Sequence, residues 1–170
     1  MGKLLEVNDL TIKYRTEKGD LTAVSNANFS VNEEEYVGLI GESGCGKSTV
    51  VKALIGGLDA NGFIDSGEIL FNGESLGDMT QEELNKEIRW KEISYIPQSS
   101  MNSLDPLQRI SEQATEIASA HTDQPKAETI ERLSELFEVV GIDPDRMYDY
   151  PHQFSGGMEQ RAIIALALLL

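Results

Sequence analysis

Between Leu4 and Val31 apolar and polar positions alternate in short stretches: Leu5 and Val7, then Leu10, Ile12 and Tyr14, then Ala27, Phe29 and Val31. A period of two marks half-buried strands, and the cluster Glu17-Lys18-Gly19-Asp20 predicts a turn between antiparallel ones. Tyr36-Val37-Gly38-Leu39-Ile40 is apolar without alternation, which predicts a strand covered on both faces. A helix is expected from Lys47 to about Ile55, stopped by Gly56-Gly57. Asn72-Gly73, directly after Ile69-Leu70-Phe71, predicts a tight hairpin. Thr80-Gln81-Glu82-Glu83 has the spacing of a capping box and opens a short helix towards Ile88. Ile93-Ser94-Tyr95-Ile96 reads as another strand, ended by Pro97. From there to Tyr150 the chain reads helical. Leu107, Ile110, Ala114, Ile117 and Ala118 mark one apolar face, and Ile130, Leu133, Leu136, Phe137 and Val140 a second, ended by Gly141. Glu128, Glu131, Glu135 and Glu138 fall off that stripe and are expected in solvent.

The length, 170 residues, suits one domain or a piece of a larger one. Hydrophobic residues at 40% and charged residues at 25% exclude disorder as the main description. With 14 Lys and Arg against 29 Asp and Glu the formal charge is −15, which disfavours a dedicated nucleic-acid binder. The single cysteine, Cys45, forms no internal disulfide and fits a reducing compartment. No apolar run reaches the roughly 18–20 residues of a membrane span, and no signal peptide is expected. The end, Ile163-Ile164-Ala165-Leu166-Ala167-Leu168-Leu169-Leu170, carries no stop signal and reads as a helix cut in mid-stride.

Gly41-Glu42-Ser43-Gly44-Cys45-Gly46-Lys47-Ser48 matches G-x-x-x-x-G-K-[ST], with an apolar run before it and a helix after it. The glycines permit positive φ and close approach of the backbone to phosphates. Successive N–H groups form an anion nest at the positive end of a helix. Lys47 brings a mobile charge to the β- and γ-phosphates of a nucleotide. The Ser48 hydroxyl can ligate Mg²⁺, a metal that keeps few protein ligands beside phosphate oxygens. Cys45 reads as a small loop residue, not a nucleophile, because no histidine base lies near it in sequence. The helix N-terminus can still activate the thiol, so its alkylation is expected to block the pocket and ATP to protect it.

Two further strings narrow the choice among phosphate-loop proteins: Ile96-Pro97-Gln98-Ser99-Ser100-Met101-Asn102-Ser103-Leu104-Asp105-Pro106, and Tyr150-Pro151-His152-Gln153-Phe154-Ser155-Gly156-Gly157-Met158-Glu159-Gln160-Arg161. With the loop around Lys47, and in this order, they resemble the ATP-binding cassette family of transporter ATPases over essentially the whole chain. The resemblance is to the ATP-binding subunits of oligopeptide and dipeptide importers. It implies an α/β fold: a P-loop NTPase core with an N-terminal antiparallel β subdomain and an inserted α-helical subdomain. Residues 1–98 would be the nucleotide-binding core with its β subdomain, 99–154 the helical subdomain, and 155–170 the signature motif and the start of the following helix. Tyr14 would stack on adenine. Gly41, Ser43, Gly44, Cys45, Gly46, Lys47, Ser48 and Thr49 would wrap the triphosphate of ATP, and Ser48 and Gln98 would contact Mg²⁺. Lys47 and Gln98 would take part in catalysis, and Gln98 would also relay between nucleotide and membrane partner. Ser155, Gly156 and Gly157 resemble the signature motif. Ser155 is placed to cap a helix starting near Met158, whose exposed N–H groups would hold, in trans, the γ-phosphate on the other subunit of a head-to-tail dimer.

The implied partners are transmembrane permease subunits, a second cassette (identical or a paralogue) and, indirectly, an extracytoplasmic substrate-binding protein, with the chain peripheral on the cytoplasmic face of the membrane. The region Leu107–Val140 and the loop at Gln98 would grip cytoplasmic helices of the permease. Met158 replaces Gln at the last signature position, as is usual in the peptide branch. Glu159 stands where that branch usually has a basic residue, and Asn32-Glu33-Glu34-Glu35 replaces the usual Gly-Glu turn. The sequence stops before the family's Walker B Asp and catalytic Glu. The expectation is therefore the N-terminal part of a longer subunit, with 170 residues that hydrolyse ATP very poorly. Two alternatives use the same motifs: a non-transport cassette ATPase acting on DNA or ribosomes, which the acidity and the lack of coiled-coil heptads disfavour, and a naturally short nucleotide-binding regulator. The cargo, whether peptide, nickel or sugar, is not written in these residues.

Overall fold

The computed structural model describes residues 2–97 and 103–170. They form two compact units, residues 1–84 and 85–170. In the first, strands β1 (Lys3–Thr16) and β2 (Gly19–Asn32) pair antiparallel across the two-residue turn Glu17-Lys18. Helix α1 (Lys47–Leu54) follows, then β3 (Gly62–Phe71) and the short β4 (Glu74–Ser75), giving the sheet order β2-β1-β3-β4. The Asn72-Gly73 turn has φ of 49° and 82°, both left-handed, as the hairpin chemistry requires.

A bulge organises this sheet. Val7, Leu10 and Ile12 are all at most 1% exposed although 7 and 10 differ by an odd number. An extra residue at Asp9 (φ 47°) restores the alternation, so that Leu10 returns to the face of Val7. Asp9 and Asn28 exchange two hydrogen bonds of 2.9 Å across β1 and β2, and these hold the kink. On the other side Gly67 (φ 83°) lies so near that a Cβ would come within 2.4 Å of the Asp9 carbonyl oxygen.

The capping box forms as expected: Thr80 N donates to Glu83 Oε2 at 2.7 Å and Glu83 N to Thr80 Oγ1 at 3.2 Å. It opens α2 (Gln81–Glu83), which continues as a π turn over Leu84–Ile88. These bonds to Thr80 hold the Glu83 carboxyl below its ordinary range. In the second unit α3 (Ile110–His121), α4 (Lys126–Val139) and α5 (Gly156–Ala167) enclose an apolar core. Ile110, Leu133 and Phe137 are completely buried in it, with Ala162 and Leu166 from α5. The four glutamates of α4 face solvent, as its stripe predicts.

Two expected strands do not form. Residues 36–40 have no ladder partner among the described residues, and Tyr36 and Ile40 are 101% and 98% exposed. In the segment from Ile93 to Ile96 only Ile93 makes an isolated bridge, to Arg89, and Tyr95 and Ile96 are over 40% exposed. An apolar run can become a buried strand only when other strands meet its N–H and C=O groups and cover it. Leu107 also departs from its expected face. It lies in a turn whose N–H bonds Asp105 Oδ1 at 2.9 Å, ahead of α3, and is 84% exposed.

Candidate functional site

The phosphate-loop sequence folds as a loop leading into α1, and its glycines are used in different ways. Gly44 (φ 81°) and Gly46 (φ 94°) are left-handed. At Gly46 a Cβ would also stand 2.7 Å from the Ala23 carbonyl oxygen and 3.0 Å from Val24 Cγ2 on β2, so the loop can rest on the sheet only through glycine. At Gly41 a Cβ would meet Cys45 Sγ at 2.7 Å. Alternating left- and right-handed residues before a helix turn successive N–H groups inward. Helix α1 has no acidic residue in its first turn, so its positive end is left for an external anion.

Lys47 Nζ lies over this loop, donating to the carbonyls of Gly41 at 2.8 Å and Glu42 at 2.7 Å, with Cys45 Sγ at 3.4 Å. The ammonium is thus held at the loop mouth by acceptors that an incoming phosphate can replace. Ser43 and Ser48 are exposed and Thr49 half-buried at the start of α1. Among the described residues no group of three or more His, Cys, Asp or Glu converges on a metal. The donor set suits a hard cation such as Mg²⁺ that takes a single hydroxyl here and leaves its other positions to phosphate and water.

Tyr14 sits near the end of β1, opposite Leu21 on β2 and Gly62 on β3. Its ring lies against β3, where a Cβ at Gly62 would come within 2.9 Å of Cε1. The sheet links Tyr14 to the phosphate loop only by register: the loop rests on Ala23 and Val24, and Val24 pairs with Ile12 two residues before Tyr14. Gln98 lies outside the described residues.

Ser155, Gly156 and Gly157 begin α5 in the second unit, all exposed. The helix starts at Gly156, two residues earlier than expected, because the Ser155 carbonyl already accepts from Met158 N at 2.8 Å and Glu159 N at 2.9 Å. Ser155 occupies the N-cap without a side-chain cap bond. Neither glycine is left-handed, and a Cβ at either would meet nothing within 4 Å. What these two glycines provide is open access to backbone donors, not an unusual conformation. Glu159 in the same turn has Oε2 buried without a hydrogen-bond partner, a carboxylate at the helix's positive end.

Sequence reasoning missed three contributors: the Ala23 carbonyl under Gly46, the carbonyls of Gly41 and Glu42 that hold Lys47, and Arg161, which bonds back to Gly157 at 3.3 Å. The first two are main-chain groups that carry no residue signal. Only the basic character of Arg161 was visible.

The model of the family described as "ABC transporter" matches residues 24–170. The chain is 45% identical over 168 residues to the "Oligopeptide transport ATP-binding protein OppD" of Escherichia coli (strain K12), covering 98% of this chain and 49% of that relative. It is 44% identical over 169 residues to the "Dipeptide transport ATP-binding protein DppD" of Lactococcus lactis subsp. cremoris (strain MG1363), covering 98% and 48%. The chain thus spans about half the length of the curated relatives it matches. Among solved structures it superposes with a TM-score of 0.82 and 29% identity on the "Dimeric Structure of MJ0796, a Bacterial ABC Transporter Cassette", covering 97% of this chain and 69% of that one. A form of the same cassette in a post-hydrolysis state, bound to ADP and Pi, aligns with a TM-score of 0.75 and 26% identity over 97% of this chain and 69% of that one.

Proposed function

Since the chain belongs to the ABC transporter family, we propose that it is the nucleotide-binding part of an importer's motor subunit, with oligopeptides or dipeptides as the cargo class. The observation that carries this reading is the loop around Lys47: two left-handed glycines, an uncompensated helix N-terminus and an ammonium held by the replaceable carbonyls of Gly41 and Glu42 beside Cys45 Sγ. ATP binds there through the N–H groups of residues 43–49, with its base on Tyr14. Lys47 leaves Gly41 and Glu42 for the β- and γ-phosphates, keeping its charge paired throughout. Ser48 and Gln98 would hold Mg²⁺, which when bound neutralises phosphate charge. Ser155, Gly156 and Gly157 present their donors to the γ-phosphate on a second cassette, so ATP joins the two and hydrolysis releases them. The division into 1–98, 99–154 and 155–170 belongs to the same proposal.

Permease subunits are the proposed membrane partners, and no described helix is long and apolar enough to cross a membrane. A cavity of about 480 Å³ in the second unit supports their docking, because Trp90, Tyr95, Leu104 and Ile117 line it as an apolar seat for a partner helix. An extracytoplasmic binding protein would deliver cargo to the permease, and this chain would sit at the cytoplasmic face. Peptide as cargo rests on the relatives' names alone.

Two measurements test the reading. A fluorescent ATP analogue should bind the purified chain, and Lys47→Ala should weaken that binding by at least about tenfold, the cost of a charge-assisted contact; binding unaffected by Lys47→Ala overturns it. The intact mass of the protein from its own cell separates motor from regulator. A mass well above 18.7 kDa supports a hydrolytic subunit whose Walker B and catalytic carboxylates follow Leu170. A mass near that value argues for a nucleotide-dependent regulator.

A further inference from the structure

Arg161 joins α5 to the end of α4, two helices that also share one apolar core. Its Nη1 donates to the carbonyls of Gly141 at 3.1 Å and Val140 at 3.4 Å, while Nε donates to Gly157 O at 3.3 Å. The first two carbonyls close α4. That helix ends with Gly141 left-handed (φ 70°), Gly141 N bonded to Glu138 O at 3.0 Å and Ile142 N to Phe137 O at 2.8 Å. This cap satisfies the carbonyls inside the last turn. The carbonyls of Val140 and Gly141 lie beyond it, at the negative end of the helix dipole, where a cation is favoured. A guanidinium can meet both and still reach a third oxygen, because its donors are fixed in one plane. An ammonium has no such fork.

The third oxygen belongs to Gly157, in the exposed first turn of α5. Gly156 and Gly157 are held by the α5 backbone alone on the side their side chains would face, since apart from that backbone nothing lies within 4 Å of where those side chains would be. We propose that Arg161 is a positioning residue: by clamping Gly157 to the end of α4 it sets the direction of the N–H groups at the start of α5. This inference rests on the reading of Ser155–Gly157 as a trans phosphate contact and adds the residue that aims it. Arg161 itself touches no nucleotide in this arrangement.

The test uses the natively expressed protein below its unfolding transition. ATP-dependent association is followed by light scattering, and monomer affinity with a fluorescent ATP analogue. Arg161→Ala should weaken association about tenfold or more, the loss of one or two charge-assisted hydrogen bonds. Analogue affinity should stay within about twofold, because the phosphate loop lies in the other compact unit. Arg161→Lys, which keeps the charge but not the fork, should fall between. Wild-type association in both variants overturns the inference. So does a parallel loss of association and analogue affinity, which would make Arg161 a stabiliser of the fold only. Should Arg161→Ala fail to fold, Arg161→Lys carries the test, and wild-type association in it overturns the inference. Gly157→Asp serves as the control: association indifferent to that change sinks the trans-contact reading and this inference with it, whereas association lost in Gly157→Asp but kept in Arg161→Ala sinks this inference alone.

Discussion

Two stretches of the first unit look alike as sequence and end differently. Leu10-Thr11-Ile12 on β1 and Leu39-Ile40 before the phosphate loop both set a leucine near a β-branched isoleucine. Leu10 and Ile12 are wholly buried between β2 and β3, whereas Ile40 is 98% exposed. Composition does not separate them; partners do. β1 has one neighbour, β2, through a two-residue hairpin and a second in β3, so its backbone groups and its apolar face are satisfied together. Residues 36–40 have no such neighbour among the described residues. A strand is therefore a property of a pair, and hydrophobicity supplies only the candidate.

The widest expected difference is in amide hydrogen exchange. Amides of the central β1 residues should exchange more slowly than those of 37–40 by about three orders of magnitude, as core strands open only with larger parts of the fold. Slow exchange at 37–40 in the isolated chain would break the comparison, because it would mean the run is paired. Next comes a matched truncation. Ile12→Ala should cost about 2–5 kcal/mol in urea denaturation, the range for emptying a filled core site. Ile40→Ala should stay within about 0.5 kcal/mol, as exposed positions do. Equal costs would remove the distinction.

The contrast between Gly46 and Gly44 sharpens it where the sheet carries the loop. Both are left-handed, so alanine at either should cost about 1 kcal/mol in backbone strain. Only at Gly46 does the new Cβ also strike the Ala23 carbonyl. Gly46→Ala should therefore weaken ATP-analogue binding by a further factor of about ten, read by titration of both variants. Similar affinities in the two would show that the sheet does not position the loop. The smallest effect concerns Glu83. Its folded carboxyl is held below the ordinary range by Thr80, so its contribution to stability is present above the unfolded value and is lost as pH falls through the folded one. Glu83→Gln should lower neutral urea stability slightly, leave acid stability unchanged and so flatten the pH dependence in the acid range.

Most of what was legible in the sequence is local. The Glu17-Lys18 turn, the Asn72-Gly73 hairpin, the box between Thr80 and Glu83, the stop after α4 at Gly141 and the phosphate loop each depend on a few consecutive residues, whose backbone preferences act whatever lies around them. The acidic face of α4 follows from the helical period in the same way. The expected strands at 36–40 and 93–96 failed because an apolar run carries no record of which distant segment completes it. The start of α5 was misplaced by two residues because a glycine pair gives weak guidance on where a helix begins.

The remainder came from approaches between residues far apart in the chain. The bulge at Asp9 needs Asn28 and Gly67. The seat of Gly46 is the carbonyl of Ala23, the ammonium of Lys47 is held by two more carbonyls, and Arg161 ends α4 from the next helix. Every residue has a carbonyl, so no pattern of residue types announces which one will be used. Turn and cap preferences are short-range energies that can be read along the chain. The partners of a main-chain oxygen are settled only when packing brings two segments within about 3 Å of each other.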